Sequence, residues 1–260
     1  MASNNDLVNT LTILSKYINL RENDDELFIK LAKDGHAELV EAFIKLGADV
    51  HTNGEYALCN ASCNGHLAVV KCLLSYGADI HADRDYALRY ASENGHLDIV
   101  EYLIKNGANI NAVDDYAFRW ASENGHFDVV KCLVSHGYVD VHARNDYAFR
   151  WASANGHFAV IEYLLSHEAD VHAQNDYALR YASYHGRLDV VKYLIEHGAG
   201  VHAMNDEASR HASQNGHKDV VEYLNNHINN EKKELKSKKI EELQKQLIDI
   251  QNQINDLMKM

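Results

Sequence analysis

Proline is missing from all 260 residues, where average usage near 5% predicts about a dozen. Pro-rich linkers and ordinary loops are therefore scarce, and the composition points to a mostly helical chain. Cysteine is sparse, at four. With no secretion signal, these read as free thiols in a reducing compartment. Long apolar runs are also lacking. Residues 1–20 have no basic leader region and interrupt their apolar positions with Asn, Thr, Ser and Lys, so neither a signal peptide nor a membrane span is expected. Leu7, Leu11, Leu14 and Ile18 lie on one helical stripe and predict an amphipathic helix over 6–20. Positive charge is the last deficit. The formal net charge is −13, and residues 229–260 hold seven Lys against six Asp and Glu, leaving −14 for the rest. Such a surface repels phosphate backbones, which argues against nucleic acid and suits a basic protein partner.

No G-x-S-x-G elbow, G-x-x-x-x-G-K cradle, His-Glu-x-x-His pair or Gly-rich nucleotide fingerprint occurs. The chain is not expected to be an enzyme or to carry a cofactor.

What is present is repetition. The Gly of "DGH", "NGH" or "HGR" recurs at 35, 65, 95, 125, 156, 186 and 216, a period of thirty with one extra residue near Tyr138. Seven copies at a fixed period mean a stacked solenoid. Each copy encodes two helices. In the third, Asp85 is the expected N-cap, Ala87, Leu88 and Ala91 the buried stripe, and Gly95 the stop. After the turn, Leu97, Val100, Leu103 and Ile104 form the predicted apolar face of the second helix, which Gly107 ends.

The pattern "A-S-x-N-G-H-L-x-V-V-x-Y-L-x-x-x-G-A-D-V" over 25–227 resembles the ankyrin-repeat family, and its wording ("DYALRYAS") looks most like the arrays of giant amoeba-infecting DNA viruses. The resemblance implies an all-α solenoid of helix-turn-helix units whose concave face binds partners. It also implies an intracellular, cytoplasmic setting, in the host cell if the source is viral. The chain departs from the family in reading "YALR" for Thr-Pro-Leu-His, and its link is about three residues short. Residues 1–24 are then an N-terminal cap, 25–228 seven repeats and 229–260 a C-terminal coiled-coil helix. Leu27 and Leu31 replace the Ala columns in the first copy, and the 6–20 helix is expected to pack there.

Asp stands four residues before Arg in five copies, from Asp85–Arg89 to Asp206–Arg210. This spacing predicts intramolecular ion pairs on one helical face. Of seventeen histidines, eleven lie in two columns, after the Gly and in the links. One imidazole per repeat does not converge on a single ion, so a turn-stabilising role is expected and a metal is not. Cys59 and Cys63, one turn apart, lack a second pair to complete a zinc set.

The column after Arg varies: Asn60, Tyr90, Trp120, Trp151, Tyr181, His211. Tyr90, Trp120, Trp151 and Tyr181, rimmed by Glu93 and Glu123, are the candidate partner-binding residues, since aromatic anchors dominate interface energetics. The alternative is that these rings stack on one another between repeats. In the tail, Ile240, Leu243, Leu247, Ile250, Ile254 and Leu257 step by 3, 4, 3, 4, 3 with Gln at the flanks. This is a three-heptad seam for weak homo-oligomerisation, the alternative being a helix folded back on the last repeat. The function expected is a non-enzymatic protein-interaction scaffold. A ubiquitin-ligase substrate adaptor or a structural virion component are the other readings, and the first lacks a second docking motif.

Overall fold

The computed structural model describes residues 24–137 and 139–258. The predicted 6–20 helix lies outside them. Among the described residues the chain forms fourteen helices and no strand. They are α1 (Asp24–Lys33), α2 (Ala37–Lys45), α3 (Thr52–Cys63), α4 (Leu67–Ser75), α5 (Ala82–Glu93), α6 (Leu97–Lys105) and α7 (Ala112–Glu123). There follow α8 (Phe127–Ser135), α9 (Ala143–Asn155), α10 (Phe158–Ser166), α11 (Ala173–Tyr184), α12 (Leu188–Glu196), α13 (Ala203–Gln214) and α14 (Lys218–Leu257). The expected all-α repeat architecture is thus present, two helices to each copy. The chain divides into two compact units after Ala173, and each is described by itself.

In the first unit the odd-numbered helices stack in order from α1 to α9, and the even-numbered ones from α2 to α10. The odd helices bury Leu58, Leu88, Phe118 and Phe149 between flanking alanines such as Ala87 and Ala91. Ala permits close helix approach, and each buried Leu or Phe contributes about 1.5–3 kcal/mol. On the even helices the buried set in α6 is Ile99, Val100 and Leu103. Leu97 and Ile104 are only half-buried, so the apolar face is rotated from the expected one. The second unit repeats the arrangement with Leu179, Val190, Val191, Leu194, Val220 and Leu224 buried.

Each odd helix ends in a left-handed glycine. At Gly95 (φ +79°) the His96 amide donates to Ala91 O at 2.9 Å, a bond that occupies an otherwise orphaned carbonyl. The histidine after that glycine then reaches into the preceding repeat. His66 Nε2 donates to Lys33 O (2.8 Å), His96 to Cys63 O (3.0 Å) and His126 to Glu93 O (3.0 Å). In the second unit His217 does the same to Tyr184 O at 2.9 Å. A carbonyl only accepts, so Nε2 carries the proton. The column therefore stitches neighbours together as well as shaping its own turn.

The short links have a specific cause. Three consecutive residues adopt left-handed φ/ψ at 83–85, 113–115, 144–146, 174–176 and 204–206. The third is Asp every time, one of the few side chains that tolerate this region. The arginine four residues on clamps the turn. Arg89 Nε and Nη2 donate to Arg84 O (3.0 Å) and Asp83 O (2.6 Å), and Arg119 to Asp114 O (2.7 Å) and Val113 O (3.0 Å). Arg150 and Arg180 make the same fork. The expected Asp–Arg pairing is replaced by this arrangement. Because Asp85 sits at φ +59°, it is not one regular turn from Arg89. Its carboxylate accepts from His81 Nδ1 (3.0 Å) and, across the link, from the Asn109 amide (2.8 Å). Asp85 therefore ties two repeats together, and capping of its own helix is not the role seen.

α14 begins as the second helix of the last repeat and continues without a break to Leu257. Its side chains from 229 to 255 are exposed, so within this unit the tail does not fold back on the last repeat. At the other end of the array Leu27 is 43% exposed and Leu31 half-buried.

Candidate functional site

The variable aromatics lie on the odd helices and are half-buried. In the first unit Tyr90, Trp120 and Trp151 are linked through a second column, Tyr86, Tyr116 and Tyr147, that the sequence pattern did not single out. Tyr86 stacks on Tyr90 with centroids 3.9 Å apart, and Tyr90 lies 5.8 Å from Tyr116. Tyr116 stacks on Trp120 (5.5 Å), Trp120 reaches Tyr147 (6.4 Å), and Tyr147 meets Trp151 (5.9 Å). Inter-repeat stacking therefore exists, with tyrosines as the intermediates. The signal for it was the Tyr after Asp85, Asp115, Asp146 and Asp176, four residues before the variable ring, which is one turn along the same face.

The guanidinium ladder backs this stack. The Arg89 carbon lies 5.1 Å from the Tyr116 centroid and 5.5 Å from Tyr86, and Arg119 lies 5.1 Å from Tyr147. These cation–π contacts fix the rings from behind. The carboxylates are fixed as well. Tyr116 Oη donates to Glu93 Oε2 at 2.7 Å and Tyr147 Oη to Glu123 Oε2 at 2.6 Å. Burial, then the hydrogen bond to Glu93, holds the Tyr116 phenol above its ordinary value, and Tyr147 is raised by burial and Glu123 in the same way. Burial alone leads for Tyr86, pushed up to about 12. All three remain protonated donors near neutrality.

The first unit thus brings Tyr90, Glu93, Trp120, Glu123 and Trp151 onto one connected surface. In the second unit Tyr181 stacks on Tyr177 (4.0 Å) and meets His211 edge-on at 5.9 Å. Arg180, beside Tyr177, also pairs with Glu207. The tail candidates stand apart on α14. Ile240, Leu243, Leu247, Ile250 and Ile254 are 47–60% exposed, and the Leu257 side chain lies outside the described set.

Among the described residues no three His, Cys, Asp or Glu are placed to hold a metal ion, and no helix is long and apolar enough to cross a membrane. The cysteines are free, and burial pushes the Cys59 thiol up to about 12.

Comparison with known proteins accords with this geometry. A family model described as ankyrin repeats (3 copies) matches residues 27–114. A second, ankyrin repeats (many copies), matches 118–165, 149–195 and 179–224. No curated protein matches the chain. Neither family match bears on the likeness to viral arrays, which rests on the wording of the repeats alone. Together the two models cover most of the sequence, and the chain belongs to the ankyrin-repeat family.

Proposed function

We propose that this chain is a non-enzymatic scaffold that holds a basic protein partner against Tyr90, Glu93, Trp120, Glu123 and Trp151 of the first unit; Tyr181, in the second unit taken by itself, is a further candidate contact. Ankyrin repeats generally mediate protein–protein interaction, so the specific content of the proposal is the face and the partner's charge. One observation carries it: half-buried rings pack against tyrosines that guanidiniums hold in place, with carboxylates already oriented by phenol hydroxyls. Rigid aromatic anchors lose little entropy on binding. The net charge of −13 favours a basic partner and steers its approach.

The second element is weak self-association through the exposed stripe of α14. Alone, three heptads are marginal, since burying six side chains contributes about 9–18 kcal/mol and ordering some twenty residues costs about as much. Growth of α14 out of the last repeat lowers that cost by supplying the helical nucleus.

Affinity capture with the full chain, compared with Trp120→Ala/Trp151→Ala, tests the first element. Loss of captured proteins by a variant with unchanged helical circular dichroism is the expected result. A folded variant that captures the same proteins equally well overturns the binding face.

A further inference from the structure

We propose that the α14 stripe receives a second copy of itself, and that the two helices run antiparallel. This rests on the self-association reading above and adds the geometry. With Ile240 at heptad position a, the seam reads Ile240, Leu247 and Ile254 at a, and Leu243, Ile250 and Leu257 at d. The step pattern 3, 4, 3, 4, 3 is the same in both directions. A reversed copy therefore meets the same stripe, pairing 240 with 257, 243 with 254 and 247 with 250. Each of those layers sets one Ile against one Leu.

A parallel pair is opposed by three features. Ile at a with Leu at d favours two parallel strands, but the central heptad is inverted, with Leu247 at a and Ile250 at d, the combination that shifts parallel coils towards larger assemblies. Immediately before Ile240 the seam turns basic, with Lys233 at a and Lys236 at d, both exposed. In register, each would face its own copy. (Lys239, at position g, pairs with Glu242 at 2.7 Å.) Finally, a parallel pair brings two segments of net charge −14 to the same end.

Reversal removes all three conflicts. Lys233 and Lys236 fall beyond the outermost layer, 240 against 257. At 1.5 Å per residue, the two copies of residue 228 lie about 60 Å apart, many times the screening length of about 8 Å at physiological salt. The flanking Gln244, Gln246, Gln251 and Gln253 are neutral and oppose neither direction, so the basic seam and the acidic repeats set the choice.

Sedimentation equilibrium of the full chain tests this at 50 and 500 mM NaCl, together with Lys233→Ile/Lys236→Leu and Leu247→Glu. Antiparallel pairing predicts a dimer whose Kd changes less than about twofold with salt and with the lysine replacements, and which Leu247→Glu abolishes. Tightening tenfold or more, by salt or by those replacements, means a parallel pair and overturns the proposal, as does a trimer or tetramer. A dimer that survives Leu247→Glu places the contact elsewhere and overturns it too. If both the chain and the lysine variant are monomers at every concentration, the self-association reading itself has failed.

Discussion

Gly95 lies directly beneath the His126 imidazole, so that a Cβ built on Gly95 would sit 2.5 Å from Nδ1. The same ring donates from Nε2 to Glu93 O. One histidine thus requires glycine below it and holds the end of the preceding helix. Gly107, also left-handed at φ +98°, has no atom within 4 Å of its built Cβ. Gly107→Ala should therefore cost only the backbone penalty, about 1–2 kcal/mol. Gly95→Ala adds displacement of a packed ring, for about 2–5 kcal/mol in all. Urea unfolding of the two variants measures the difference, and equal losses would remove the stitch from the account.

How far the fold could be read in advance follows from the same geometry. The period of thirty and the Leu, Val and Ala columns depend on regular helix, where spacing fixes the face, and the array was legible from them. The Asp85–Arg89 pairing was misread because residues 83–85 are left-handed, so the spacing of four does not span a regular turn. Shortness of the link was visible, but its cause was not, since left-handed Val113 and Arg144 contradict local preference. At the site, Tyr90, Trp120 and Trp151 stood out because they vary. Tyr86, Tyr116 and Tyr147 are the same in each of these copies and so did not stand out, although they join the variable rings.

Arg119 tests whether the guanidinium column is a clamp on the backbone. Its Nε and Nη2 reach two carbonyls, at 2.7 and 3.0 Å, a geometry that the single ammonium of lysine cannot copy. Arg119→Lys should cost about 1.5–3 kcal/mol, the range for hydrogen bonds involving a charged group. Its hydrogen-bond partners are carbonyls, so most of the loss should persist from 0.1 to 1 M NaCl, whereas an exposed ion-pair ladder would be screened. Denaturant midpoints at both salt concentrations decide the matter, and a loss that vanishes at high salt restores the ion-pair reading.

Acidification should separate the stability of the array from its binding. His51 donates Nδ1 to the Glu55 carboxylate at 2.6 Å. That hydrogen bond first, then the charges of Glu55, Asp49 and Asp79, hold the imidazole above its usual value. A raised folded value means that this contribution is complete below the unfolded value near 6.5 and is lost as pH rises through the higher folded one. The pair therefore strengthens on going from pH 8 to pH 6, and Glu55→Gln should lower the His51 midpoint in an NMR titration. The surface responds oppositely. Protonating all seventeen histidines moves the formal charge from −13 to +4, so affinity for a basic partner should fall between about pH 7 and 5.5. Helical circular dichroism should persist while capture of that partner declines. Capture that stays flat over this range would remove electrostatic attraction from the binding account, and capture and helicity that fall together would trace the loss to unfolding.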